Sequence, residues 1–197
     1  MKSFRVLAIS VAMLISASAY SQIGLKAIGA GVGIMGASVS TGTNSEGMTG
    51  IAFGAGVDLG EITPGLHLFP DVGYWSASKS INTGAGSFDF STSDFVINAN
   101  VQYVFGGSQI MPYVGGGLGI NFLGTSTPAQ SFGSGPFTVT IPASSASATR
   151  LGINLMGGVA YPLNNQMAIG AQFRYVIASD FNHWLALATF RYNLTSM

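Results

Sequence analysis

His67 and Asp71, four residues apart in "HLFPD", are the pair in this 197-residue chain whose types could work together on a substrate. A histidine beside a carboxylate can shuttle protons or orient a nucleophile. If the segment is extended, both side chains fall on one face. Same-face neighbours on a strand are about 7 Å apart, so positions four apart cannot touch without a bulge. The other histidine is His183, followed by Trp184 and Leu185. Two glycine-rich stretches raise a different chemistry. "GAGVGIMG" places Gly31, Gly33 and Gly36 at the spacing of a dinucleotide fingerprint, and "MPYVGGGLGINF" packs Gly115, Gly116, Gly117 and Gly119 together. A phosphate loop must follow a strand, open a helix, and be trailed by an acid about 20 positions on. Here no helical period follows, and Asp58, the candidate acid, falls inside an extended run. The chain has no cysteine, which excludes disulfides, thiolate metal sites and cysteine nucleophiles. The sequence therefore predicts no catalytic residue, no cofactor and no metal.

The elements that must carry these residues are strands. In "DFVINANVQYVF" Phe95, Ile97, Ala99, Val101, Tyr103 and Phe105 alternate with Asp94, Asn98, Asn100 and Gln102. The same period of two recurs in "RLGINLMGGVAY" and "QMAIGAQFRYVI". Eight such runs are predicted, near 24–37, 50–60, 65–78, 93–105, 110–123, 150–161, 166–177 and 183–194. Each has ten or more residues, where a bilayer-crossing strand needs about 9–11. Short turns around "EITP", "GGSQ" and "PLNN" alternate with longer links, "VSTGTNSEGMT", "KSINTGAGSFDFST", "GTSTPAQSFGSGPFTVTIPASSASAT" and the brief "ASDFN". Turns at one end and polar loops at the other describe a transmembrane barrel. Within the longest link, "PFTVTI" reads as a hairpin whose edge could accept an added strand.

Composition agrees. Charged residues make up 7% of the chain, against about 25% in soluble domains. Mean hydropathy is +0.45, yet beyond the N-terminus no apolar run is long enough for a spanning helix. "MKSFRVLAISVAMLISASAYSQ" has a basic start, an apolar run and small residues at Ala17 and Ala19, the pattern of a secretory signal peptide. We therefore expect a cleaved signal peptide over 1–21 and a barrel domain over 22–197. Without Lys2 and Arg5 the chain keeps five of its seven basic residues, too few to make nucleic acid a partner. With the apolar face turned to lipid, the polar face lines the lumen. That predicts an interior network of Asp58, His67, Asp71, Asn98, Asn100, Arg174 and Arg191, with Arg150 near the outer mouth, paired across the lumen because buried charges must be paired. Inward Gly115, Gly117 and Gly119 then relieve crowding beside Tyr113 or an arginine from across the lumen, while Gly116, on the outer face, would mark a bulge or a close packing point. Tyr103, Phe105, Phe122, Tyr161, Tyr175, Phe190 and Tyr192 fall near strand ends on the apolar face, as an interfacial aromatic girdle would.

At this point three stretches carry a resemblance. "MPYVGGGLGINF" is similar to a Pro-Tyr-x-Gly-x-Gly-x-Gly fifth strand, "LGINLMGGVAYPLNNQMAIGAQFRYV" to paired sixth and seventh strands, and "LALATFRYNL" to a closing strand. In these the chain resembles the small eight-stranded outer-membrane β-barrels, which include the OmpA transmembrane domain and the OmpX-like and opacity-type surface proteins. The likeness spans nearly the whole mature chain. It implies residence in the outer membrane of a Gram-negative-type bacterium, with outer-membrane lipid and the barrel-assembly machinery as partners. Members often end on Phe or Tyr, which that machinery reads; this sequence ends "FRYNLTSM", which leaves the role to Phe190 and Tyr192. Outer-membrane lipid A deacylases of similar size carry a His and a Ser two residues apart, a motif absent around His67 and His183.

The expectation is an all-β, eight-stranded antiparallel up-and-down transmembrane barrel, monomeric and not an enzyme. Its role would be structural or surface-interactive, in envelope integrity or adhesion, with a surface ligand held by the extracellular loops. The alternatives are a narrow porin-like channel for ions or small solutes and, further off, a soluble secreted carrier barrel with its apolar face inward.

Overall fold

The computed structural model describes residues 23–41, 44–83, 86–106, 109–132, 139–179 and 181–194. The proposed signal peptide lies outside them. Among the described residues twelve strands follow in chain order: β1 (Ala27–Thr41), β2 (Asn44–Asp58), β3 (Glu61–Thr63), β4 (Leu66–Leu68), β5 (Asp71–Thr83), β6 (Gly86–Val104), β7 (Met111–Thr127), β8 (Gln130–Phe132), β9 (Val139–Ile141), β10 (Ser144–Pro162), β11 (Met167–Ala178) and β12 (His183–Asn193). All pairings are antiparallel, and β1 pairs with both β2 and β12, which closes the sheet into an eight-stranded barrel. The short β4 and the longer β5 run in series against β6 and together form one barrel strand. Pro70 separates them because it has no N–H to give to a ladder. Its carbonyl instead accepts from the Val57 N–H at 3.0 Å, and the Phe69 N–H donates to Asn100 at 2.8 Å. The "EITP" turn is thus a small β3–β4 hairpin that turns at Gly65, whose φ of +79° suits glycine.

Strands reach further at the loop end than the hydrophobic pattern suggests. The β1–β2 register continues to Thr41 opposite Asn44, β5–β6 to Thr83 opposite Gly86, and β7–β10 to Thr127 opposite Ser144. Most of what reads as three long polar links is therefore hairpin. At the loop ends of β7 and β10, from Gly124 and Ala148 outward, no side chain is buried, so no alternation marks the strand, while cross-strand bonds still satisfy the backbone. β2 and β5 pair from Gly50–Ala77 down to Gly56–Asp71; above this the two hairpins diverge. The Lys79 ammonium donates to the Gly47 carbonyl across that seam at 2.9 Å. In the last long link β8 and β9 pair as a separate hairpin. It includes the last three residues of "PFTVTI"; the first three lie outside the described residues.

The faces have the membrane sense. On β7 the outward residues Pro112, Val114, Leu118, Ile120 and Phe122 are exposed, while Gly119 and Asn121 point inward and are buried. Ten residues at about 3.4 Å each, tilted by about 40°, project to roughly 26 Å, the height of a bilayer-facing apolar band. The outer face turns polar at one level on neighbouring strands: Tyr74 gives way to Ser76, Phe95 to Ser93, Phe122 to Gly124 and Ser126, Leu151 to Thr149. This is opposite to a soluble carrier barrel, which keeps its apolar residues inside.

Candidate functional site

The lumen holds the chain's converging charged side chains, in two clusters. Asp71, at the start of β5, is gripped from across the barrel by Arg174 of β11, with Nη1–Oδ1 at 3.0 Å and Nη2–Oδ2 at 2.6 Å. Asn98 and Asn100 of β6 each donate to one of its oxygens, at 2.7 and 2.6 Å. Asn154 of β10 donates to the Asn98 carbonyl oxygen at 2.7 Å. Asp71 thus accepts four hydrogen bonds, the condition under which a buried ion pair is tolerable. The β7 glycines make room for this layer. A Cβ on Gly117 would collide with Asn100 Oδ1 and one on Gly119 with Asn98 Oδ1. The crowding expected at these glycines comes from the asparagines next door. Tyr113 lies instead over Gly158 and donates to Gln172 at 3.1 Å. Gly116 faces outward in a continuous β7–β10 register, without a bulge.

The second cluster sits at the terminus end. Asp58, fully buried at the foot of β2, meets His67 Nδ1 at 3.0 Å, accepts from the Gly60 N–H at 2.7 Å, and pairs with Arg191 of β12. Glu61 approaches the other ring nitrogen of His67 at 3.4 Å. His67 and Asp71 therefore belong to different clusters. A catalytic triad needs a histidine between a carboxylate and a nucleophile, whereas both ring nitrogens of His67 face carboxylates, and among the described residues neither histidine hydrogen-bonds to a serine or threonine hydroxyl. Arg150 stays apart near the loop end, its guanidinium donating to the Thr149 carbonyl at 3.4 Å.

The upper lumen is apolar, which the alternation does not suggest. Trp75 stacks on Phe181 at 5.5 Å, and His183 lies 5.2 Å from the Trp75 ring and 5.5 Å from Phe181. Met35, Met48, Ala52, Val176 and Leu185 pack around them. This plug closes the lumen at the level where Tyr74 and Ser76 mark the upper edge of the band. Asp94, opposite Trp75 in the ladder, is buried beside it with both carboxylate oxygens unpaired among the described residues. The inward phase of Trp75 and Asp94 was readable in the strand; that Phe181 folds back from "ASDFN" to complete a plug was not.

The predicted girdle residues all lie on the outer face. Tyr103 and Phe105 meet edge to face at 5.1 Å near the terminus end, with Tyr161, Phe190 and Tyr192 at the same end of their strands. Phe122 lies beside Phe95 at 6.2 Å toward the loop end, and Tyr175 is three residues from the end of β11. Tyr74, Phe95 and Trp184 join the upper ring; Trp184 stacks on Phe173 at 6.1 Å over Gly36, whose missing side chain leaves space for the indole. Trp184 could have been found from its phase, one residue after inward His183.

Comparison with solved structures returns barrels of the same kind. Neisserial surface protein A is 19% identical with a TM-score of 0.54, covering 85% of this chain and 99% of that one. The attachment invasion locus protein Ail of Yersinia pestis is 13% identical with a TM-score of 0.48, covering 86% and 100%. The outer membrane enzyme PagL is 14% identical with a TM-score of 0.45, covering 83% and 98%. At these identities the likeness concerns the fold alone. A search of curated proteins finds no match. The sequence family described as the outer membrane protein beta-barrel domain matches residues 7–193. With that match over nearly its whole length, and with a closed eight-stranded barrel that turns its apolar face outward, the chain belongs to the outer membrane protein beta-barrel domain family.

Proposed function

We propose that the protein is exported by a signal peptide over 1–21 and stands as a monomer in the outer membrane, where its role is structural or surface-interactive rather than enzymatic. The observation that carries this reading is the closed lumen beneath tall polar strands. The Trp75–Phe181–His183 plug blocks the path a solute would take, while β5, β6, β7 and β10 rise beyond the apolar band. Outer-membrane lipid then meets the band, aromatic rings mark its two edges, and the loop-end hairpins remain for a ligand on a host, a surface or another cell. The narrow-channel alternative would require the plug to part.

The test is to replace 128–143, which include the β8–β9 hairpin, with a short turn, and to compare adhesion of expressing cells with that of cells carrying the full chain. We expect adhesion to fall several-fold while the barrel remains in the outer membrane. Unchanged adhesion would remove this loop from the account.

A further inference from the structure

Eight-stranded barrels are narrow enough for side chains to fill their interiors, yet this one keeps a cavity of about 430 Å³ below the plug. Its lining runs from Trp75 and His183 above to Pro162, Asn164 and Asn193 at the terminus end. It is therefore a blind vestibule facing the termini. One wall is bare backbone, contributed by glycines of β1 and β2. Packing explains some lumen glycines: at Gly56 a Cβ would lie 2.6 Å from the Phe69 ring and 2.8 Å from Asp71. It does not explain Gly29, Gly31 and Gly54. A Cβ at Gly29 or Gly31 would find neighbours no nearer than about 3.4–3.5 Å, and one at Gly54 would meet a single atom, the Val72 carbonyl oxygen, at 3.5 Å. Glycine in a strand costs stability and marks close approach of another group. Here the protein groups nearby leave room for a Cβ in ordinary van der Waals contact, so none of them demands glycine.

We propose that this vestibule is a binding site for a small, uncharged, largely apolar molecule, which lies against the backbone of Gly29, Gly31 and Gly54. The volume falls in the range of small-molecule pockets, about 300–1,000 Å³. Phe69, Leu187 and Trp75 give apolar contact, and Tyr113, Gln172 and Thr189 offer hydrogen-bonding groups for one hydroxyl or carbonyl. The charges argue for a neutral occupant. Arg174 and Arg191, which line the cavity, are already paired with Asp71 and Asp58, so neither is left to hold an anion, and Glu61, the remaining carboxylate of the lining, faces His67 at 3.4 Å. This inference does not depend on what the loops bind.

Trp75 and Trp184 are the two tryptophans, so Trp184→Phe leaves a single fluorophore that lines the cavity. The experiment titrates this variant, in lipid nanodiscs, with 4-bromobenzyl alcohol, a neutral aromatic alcohol whose bromine quenches indole on contact. Saturable quenching is expected. Gly54→Ala should weaken it modestly and Gly54→Leu at least tenfold, with a folded barrel verified by its gel mobility. Gly31→Ala and Gly31→Leu provide the same comparison should the bulkier Gly54 variant fail to fold. Quenching that rises linearly without saturation, or that is equal in the filled variants, would overturn the proposal, since it would report partition into lipid or a site elsewhere.

Discussion

Asp71→Ala is expected to destabilise the barrel by about 3–5 kcal/mol, the cost of leaving a buried charge without its partner. Arg174 is 8% exposed, and its two terminal nitrogens both donate to Asp71. With the carboxylate gone, Asn98 and Asn100 lose their acceptor as well. Arg174→Met should cost less, because Asp71 would keep both asparagine donors. Removing both charges in Asp71→Leu/Arg174→Met should return stability to near the starting value, since an apolar pair of similar volume is often neutral against a buried ion pair. Urea-dependent unfolding of the refolded protein, read by gel mobility or tryptophan fluorescence, measures all three. Single variants within about 1 kcal/mol of wild type would mean that water, not protein, satisfies these charges, and that the mid-lumen is wetter than the geometry implies.

Leu118→Arg should be nearly as damaging for the opposite reason. Leu118 is on the outer face of β7, two-thirds exposed, midway between Pro112 and Phe122. An arginine at the bilayer midplane of a barrel costs about 2–4 kcal/mol, falling to about 0–1 near the interfaces. Ser126→Arg, on the same face of the same strand but above the apolar band, should cost less than about 1 kcal/mol. In a water-soluble barrel the same leucine would sit in solvent, and its replacement by arginine would be neutral or improve solubility. Equal stabilities for the two variants in lipid would place the band elsewhere.

These two variants also mark what the sequence makes legible. Period two places Leu118 and Arg174 on opposite faces, because a barrel wall one strand thick has lipid on one side and a narrow lumen on the other. The same logic brings Asp58, Asp71, Arg174 and Arg191 inside. It does not pair them. Asp71 and Arg174 are 103 residues apart, and their meeting depends on the stagger between strands, which no local pattern encodes. The Trp75–Phe181–His183 plug was less legible still. A tryptophan on the inward phase conflicts with a uniformly polar lumen, and Phe181 comes from a link rather than a strand. The hairpin extensions escaped for a third reason: at their level the outer face is polar too, as Ser91 and Ser126 show, hydrogen-bonded to each other at 2.9 Å, so no apolar residue marks every second position. The glycines had two explanations where one was expected. Gly117 and Gly119 make room for Asn100 and Asn98, whereas Gly29, Gly31 and Gly54 line the lumen cavity at positions where a Cβ would meet only ordinary van der Waals contacts.

Cell fractionation followed by a gel of boiled and unboiled protein tests the outward apolar band most directly. Recovery from the outer membrane, with faster migration before boiling than after, is the predicted result, because a closed barrel resists detergent unfolding at room temperature. Recovery as a soluble periplasmic or secreted protein, migrating identically in both lanes, would contradict it.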